Sequence, residues 1–113
     1  MIKEDKVYLK HIMNEIIKIE KSAKNISQED FKKDDNIQDA TIRRIEIIGE
    51  ATKNVSIKLK NAHPEIEWKK IAGTRDVLIH AYFSVDIELT WNIVKIQLPD
   101  LKEKIKKILE ELI

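Results

Sequence analysis

The sequence predicts an all-α domain, an up-and-down bundle of four to five helices. Two glycines and two prolines in 113 residues leave little of the turn chemistry that a β fold requires. Isoleucine, leucine, lysine and glutamate dominate the composition. Apolar residues recur at spacings of three and four along several stretches, which is the periodicity of an amphipathic helix. The length predicts one domain over residues 1–113.

The first helix is predicted from about Asp5 to Lys24, where apolar residues form one broad stripe. Ser27 and Asp30 then have the spacing of a capping signal, which predicts a short helical turn ending near residue 35. A second long helix is predicted from about Asn36 to Lys60. The inward residues of these two helices are expected to be Leu9, Ile12, Met13, Ile16, Ile19, Ala23, Ile37, Thr41, Ile45, Ile48, Thr52 and Val55.

The second half of the chain predicts shorter elements. Pro64 suits the first position of a short helix that ends at Gly73. Another helix is expected to begin near Thr74 and to carry residues 75–82. Ser84 is a candidate cap for a helix over 85–98, and Pro99 is expected to kink or restart it. Leu101, Ile105, Ile108 and Leu112 form the last stripe.

The composition also limits the function. The chain has no cysteine, which excludes disulfides and thiolate metal sites. No signal peptide or membrane-spanning stretch is evident, so a cytoplasmic protein is expected. Charged residues are 36% of the chain, but the net charge is only +1. Any nucleic-acid contact must therefore come from a local cluster. The broad apolar stripes predict surplus apolar surface that a homodimer would bury.

Residues 75–83, RDVLIHAYF, place a guanidinium, an imidazole and a phenol within eight residues. His80 could move a proton near neutral pH, and Arg75 could stabilise charge on a phosphate. Together they suit metal-independent cleavage of RNA, which supplies its own 2′-hydroxyl nucleophile. A histidine among apolar residues is more commonly a hydrogen-bonded core residue.

Geometry leaves the meeting of these groups open. In a continuous helix, five residues turn the side chain by about 140°, so Arg75 and His80 would not share a face. A curled arginine, a loosening of the segment near His80 or a two-fold mate could each bring them together. Tyr82 is seven residues from Arg75 and nearly aligned with it.

The stretch resembles the Arg-x4-His-x-Tyr motif of the HEPN superfamily, in its HepT-like branch. RRIEIIGEATKNVS at 43–56, WKKIAGTRDVLIHAYF at 68–83 and VDIELTWNIVKIQLPDLKEKI at 85–105 agree with that family in order. The resemblance implies an all-helical homodimer, with Arg75 and His80 in a cleft at the dimer interface. It further implies a metal-independent ribonuclease toxin that needs no cofactor.

The resemblance also suggests supporting residues and a partner. Asp76 is the polar residue that often follows the motif arginine. Tyr82 would accept AMP from a small nucleotidyltransferase antitoxin of the MntA kind, and the added phosphates would block the cleft. The alternative function is a non-catalytic helical dimer that binds such a nucleotidyltransferase or a nucleotide.

Several further residues carry weaker predictions. Arg43 or Asp39 is expected to face the cleft, although a solvated or structural pair is equally compatible with the sequence. Glu46 and Glu50 lack a third ligand at a suitable spacing, which favours structural roles over a metal site. Gly49 is expected to allow close approach of another helix. Surface or capping roles are predicted for His11 and His63, and core positions for Trp68 and Trp91.

Overall fold

A computed structural model describes residues 3–80 and 84–112 of the chain. Helices account for most of these residues, as the sequence predicts. In order, the helices are α1 (Lys3–Ala23), α2 (Gln28–Lys33), α3 (Asp35–Asn54), α4 (Ile57–Ala62), α5 (Trp68–Ala72), α6 (Thr74–Leu78), α7 (Ile87–Asn92) and α8 (Leu98–Glu111). One short antiparallel pair, β1 (Ile79–His80) and β2 (Ser84–Val85), lies between α6 and α7.

The core lies between the three long helical segments, because α1 packs against both α3 and α8. Each of these helices has an apolar stripe, and burying the stripes together removes most of their side chains from water. The predicted inward positions of α1, α3 and α8 are confirmed in the main, with these residues buried: Leu9, Ile12, Ile16, Ile19, Ala23, Thr41, Ile45, Ile48, Thr52, Leu101, Ile105 and Ile108. Among the described residues, no helix is both long enough and apolar enough to cross a membrane.

The predicted capping signal begins α2. The Ser27 side chain accepts a hydrogen bond from the Asp30 backbone N–H at 3.1 Å, and the Asp30 carboxylate accepts one from the Ser27 N–H at 3.0 Å. These reciprocal bonds satisfy two backbone donors that a helix start leaves without partners. Phe31 in this short helix is fully buried. A capping box and one apolar anchor therefore hold α2 in place.

The prediction of one helix from Asn36 to Lys60 is wrong, because the helix is interrupted at Val55 and Ser56. Asp5 of α1 is 2% exposed. Its carboxylate accepts hydrogen bonds from the Ser56 N–H at 2.8 Å and from the Ser56 hydroxyl at 2.6 Å. The Ser56 oxygen in turn accepts from the Leu59 N–H at 3.2 Å and caps α4. A contact between residues 51 positions apart thus decides where α3 ends.

The next segment begins later than predicted. Pro64 lies in a turn and not at the first position of a helix, since α5 starts at Trp68. The Trp68 indole N–H donates to the His63 carbonyl at 2.9 Å, and the ring is buried. The predicted end of this helix at Gly73 is confirmed, because the Gly73 N–H donates to carbonyls of the preceding turn.

The prediction that one helix carries residues 75–82 is also wrong. Helix α6 ends at Leu78, and Ile79 and His80 pair with Val85 and Ser84 as antiparallel strands. The Asp86 N–H also donates to the Leu78 carbonyl at 2.9 Å. Backbone groups of residues 84–86 thus compete for the carbonyl and amide groups that a longer helix would use. The chain therefore leaves the helix before His80, as one of the three possibilities left open by the sequence requires.

Helix α7 is capped by Asp86 and not by Ser84, so it begins at Ile87 and not at Val85. The Asp86 carboxylate accepts from the Leu89 N–H at 3.0 Å and caps α7, whereas Ser84 lies in β2. A π-helical turn over Ile93–Gln97 joins α7 to α8, with the Leu98 N–H bonded to the Ile93 carbonyl. Pro99 has no N–H and would clash with the carbonyl four residues earlier in a regular helix. The wider turn is the form that the predicted irregularity at Pro99 takes.

Candidate ribonuclease site

The position of α6 depends on a close approach between α3 and α5. Gly49 of α3 is buried, and a Cβ atom built on it would lie 3.0 Å from the Ala72 carbonyl oxygen at the end of α5. Any other residue at this position would require the Ala72 carbonyl to move by a few tenths of an ångström. The predicted role of Gly49 in helix approach is therefore confirmed. Because α6 follows α5 after one residue, the same approach brings α6 against α3.

Arg75 lies on α6 at the edge that faces α3. Its Nε atom is 2.8 Å from Oε2 of Glu46, and its side chain is 39% exposed. A terminal nitrogen is 3.5 Å from the Asp76 carboxylate, which is a long contact. The Asp76 side chain is 83% exposed. Arg75 is thus held mainly by Glu46 and remains accessible to solvent.

Glu46 also binds a second arginine. Its other oxygen, Oε1, is 2.6 Å from a terminal nitrogen of Arg43, one helical turn earlier on α3. One carboxylate therefore bridges the guanidinium groups of Arg43 and Arg75. The structure brings Arg43 beside Arg75, while Asp39 is an exposed residue one turn before Arg43. That either residue binds substrate stays a prediction.

The contact of Glu46 with Arg75 is not predicted by the sequence analysis. The sequence favours a structural role for Glu46, and its ion pairs with Arg43 and Arg75 agree with that role. The available signal was its spacing: Arg43, Glu46 and Gly49 are three residues apart, so they share one face of α3. The glycine marks the face of α3 that receives α5, and Glu46 lies one turn earlier, where it meets Arg75 of α6.

The motif histidine lies in a different element from the motif arginine. The His80 backbone belongs to β1 and pairs with Ser84. Tyr82 lies outside the described residues. That Arg75 and the imidazole of His80 act on one phosphate stays a prediction.

The remaining candidate residues have structural partners. Glu50 pairs with Lys53 at 3.1 Å. His63 ends α4 and contacts Glu65 at 3.2 Å, as its predicted capping role requires. His11 is exposed, and Trp91 packs half-buried against Phe31. Within the described ranges, no group of three or more His, Cys, Asp or Glu side chains is arranged to hold a metal ion.

Among the described residues, the carboxyl groups of Asp30 and Glu65 have clearly lowered pKa values. The backbone N–H of Ser27 holds the pKa of Asp30 below its usual value, and the Ser27 hydroxyl adds to this. A hydrogen bond from its own backbone N–H lowers the pKa of Glu65, with a smaller contribution from His63. Both shifts favour the ionised carboxylate in the folded protein.

Comparison with known proteins defines the class as a ribonuclease of the HEPN type. The family described as ribonuclease HepT-like matches residues 12–108. The chain therefore belongs to the ribonuclease HepT-like family. No solved structure matches it significantly.

Three curated relatives illustrate the similarity. A "Gamma-glutamylcyclotransferase and putative RNase" of Methanocaldococcus jannaschii is 49% identical over 112 residues, which are 99% of this chain and 50% of that protein. A "Probable ribonuclease HepT" of Thermococcus cleftensis is 46% identical over 96% of this chain and 98% of its own length. A "Putative RNase" of Caldanaerobacter subterraneus is 40% identical over 97% of this chain and 98% of its own length. This chain thus spans half of the first relative and almost all of the other two.

Proposed function

We propose that this protein is a metal-independent endoribonuclease, the toxin of a toxin–antitoxin pair. The observation that carries the proposal is the Arg75 guanidinium, which is anchored through Nε on Glu46 and still 39% exposed. With Nε engaged, the terminal nitrogens keep the forked geometry that binds two phosphate oxygens. The family and its curated ribonuclease relatives support RNA as the substrate.

The proposed reaction uses the ribose 2′-hydroxyl as nucleophile. The 2′-oxygen attacks the adjacent phosphorus, the bond to the 5′-oxygen breaks, and a 2′,3′-cyclic phosphate forms. Arg75 stabilises the negative charge that grows on the phosphate oxygens. His80 makes one of the two proton transfers, from the 2′-hydroxyl or to the leaving 5′-oxygen, since an imidazole can do both near neutral pH. Solvent water makes the other transfer. No metal ion or cofactor takes part in this scheme.

A homodimer belongs to the proposal. Val77 lies on α6 two residues after Arg75 and is 58% exposed. A subunit that covers Arg75 would also bury this apolar side chain. A second copy placed there would close a cleft around Arg75 and could supply its own His80 to that cleft.

Control by an antitoxin completes the proposal. A nucleotidyltransferase of the MntA kind would attach AMP to the Tyr82 hydroxyl, two residues after His80. The added phosphates would occupy the place of the RNA backbone and repel it. Co-expression with such a partner should give mass increments of AMP by intact-mass spectrometry, and Tyr82→Phe should remove at least one of them.

The decisive experiment is RNA cleavage by the purified chain in the presence of EDTA. We expect cleavage of single-stranded RNA, and no cleavage where a 2′-deoxynucleotide replaces the nucleotide at the cut. Arg75→Ala and His80→Ala should each lower kcat/KM by at least about a hundredfold. The corresponding expression strains should lose the growth arrest that the wild type causes.

Full activity of the His80→Ala protein would contradict the proposal. No cleavage and no growth arrest, together with a stable complex with a nucleotidyltransferase, would instead favour the alternative, a non-catalytic binding module. Lys53→Ala, which removes an exposed cation of α3, serves as the control that should leave cleavage unchanged.

A further inference from the structure

Two exposed cations at the ribonuclease site share one anion. Glu46 is bonded at 2.6 Å to Arg43 and at 2.8 Å to Arg75. The Arg43 side chain is 67% exposed and that of Glu46 is 33% exposed. The Asp76 carboxylate lies 3.5 Å from a terminal nitrogen of Arg75, so the four side chains are neutral together. Most of the hydrogen-bond donors on the two guanidinium groups are not used by the Glu46 carboxylate. The cluster is thus a surface on which one shared anion holds two forked groups.

The same helix provides a comparison that shows what is unusual here. Glu50 and Lys53 form a pair with the same i, i+3 spacing, and both side chains are more than half exposed. Such surface pairs contribute little to stability. Glu46 differs because its second oxygen binds a residue of another element, α6. The Gly49 approach makes this possible by bringing α6 to the face of α3 that carries Glu46.

We propose that Arg43 and Arg75 form a paired-guanidinium subsite for two successive phosphates of an RNA strand, with Glu46 as the positioning residue. This inference rests on the proposed ribonuclease function and adds a second phosphate contact to it. Arg75 binds the phosphate that is cleaved, and Arg43 binds its neighbour. Glu46 offsets the repulsion between the two cations before RNA arrives and fixes the Arg75 side chain by its Nε edge.

The Arg43 part is tested by binding, without any need for cleavage. The affinity of an all-2′-deoxy or otherwise uncleavable single strand is measured against salt concentration. Arg43→Ala should reduce the slope of log affinity against log salt by about 0.7, the value for one phosphate contact on a single strand. Arg43→Lys should restore the slope, and Lys53→Ala should leave it at the wild-type value. An unchanged slope in Arg43→Ala would overturn the subsite.

The Glu46 part is tested by separating kcat from binding. Glu46→Gln removes a negative charge beside the phosphates, so the uncleavable strand should bind at least as tightly as to the wild type. The same variant should lower kcat about tenfold, because Arg75 is no longer fixed. Glu50→Gln should change neither quantity. If Glu46 only stabilised the fold, Glu46→Gln would weaken binding and lower the urea midpoint. An unchanged kcat in this variant would also overturn the assignment.

Failure of the inference and failure of the proposed function give different results. If the wild type cleaves RNA and needs Arg75, but Arg43→Ala keeps the wild-type salt slope, only the paired subsite is wrong. If the wild type does not cleave RNA, the proposed function and the positioning role of Glu46 both fail. A reduced slope in Arg43→Ala would then still support a two-phosphate binding site.

Discussion

At the scale of single residues, Gly49 controls the distance between α3 and the end of α5. An alanine Cβ there would lie 3.0 Å from the backbone oxygen of Ala72, which cannot rotate away as a side chain could. We expect Gly49→Ala to lower the free energy of unfolding by about 1–3 kcal/mol, as overpacking of a filled interior does. Urea denaturation measures this change. The rate of RNA cleavage should fall by more than the loss of folded protein accounts for, because α6 and Arg75 move away from Glu46.

The chain contains a matched control for this substitution. Gly73 has φ −100° and ψ 3°, a conformation that alanine adopts without strain. The nearest atom to its built Cβ is the Lys69 carbonyl oxygen at 3.7 Å, an ordinary contact. Gly73→Ala should leave stability unchanged or raise it by up to about 1 kcal/mol. A similar loss in both variants would show that close approach is not what Gly49 provides.

The residues of the candidate site differ in how far the sequence predicts them. The residue type of Arg75 and its place in the motif predict a phosphate contact, and the structure adds its anchor on Glu46. The pairing of Glu46 with Arg75 joins residues 29 positions apart, so no local pattern contains it. Only the shared face of Glu46 and Gly49 on α3 pointed to it. Tertiary contacts of this kind become visible when the packing of two helices is known.

At the scale of elements, local signals predicted where most helices lie but not where two of them end. The stripe of α3 and α4 continues across Val55, so periodicity alone predicts one helix. The break depends on Asp5 from another helix. In the same way, residues 75–82 favour a helix locally, but α6 ends at Leu78. The Asp86 N–H binds the Leu78 carbonyl, and the next two residues pair with Ser84 and Val85. Boundaries set by distant partners are the part that the sequence does not reveal.

The Asp5 contact predicts a large effect for one substitution. Asp5→Ala leaves the Ser56 N–H without its acceptor in a partly buried position. We expect the free energy of unfolding to fall by about 2–3 kcal/mol, as for a buried group that loses a charged partner. Glu4→Ala is the control, since Glu4 is exposed in the same first turn of α1 and has the same helix-dipole effect. Equal losses in chemical denaturation would contradict this account.

The capping box of α2 predicts a pH-dependent contribution to stability. The folded-state pKa of Asp30 is lowered, first by the Ser27 backbone N–H. The contribution is therefore fully present above the unfolded-state pKa and is lost as the pH falls through the folded-state pKa. Asp30→Asn should lower the urea midpoint at neutral pH, and this difference should shrink in acid. Glu29→Gln, next to it on the surface, should show no such trend.

At the scale of the whole molecule, the proposed homodimer predicts that a charged side chain introduced into its interface on α6 prevents dimer formation. Val77 on α6 is 58% exposed, and Ile57 on α4 is 74% exposed. Val77→Lys should give a folded monomer by sedimentation equilibrium and circular dichroism, with lower RNA cleavage. Ile57→Lys should keep the wild-type mass, since α4 does not carry the motif. A monomeric wild type, or a dimer that only Ile57→Lys disrupts, would place the proposed interface elsewhere or exclude it.

The π-helical turn over Ile93–Gln97 has an evolutionary consequence. Ile93 and Leu98 are five residues apart, yet both are buried, and the backbone bond between them spans the wider turn. Loss of one residue between them, together with replacement of Pro99, would convert this turn to a regular α-helical one and keep the inward faces of both flanking helices aligned. Relatives that differ by a single-residue deletion are expected to carry it here. The same deletion in α1 or α3 would rotate every following side chain by about 100° and expose the core.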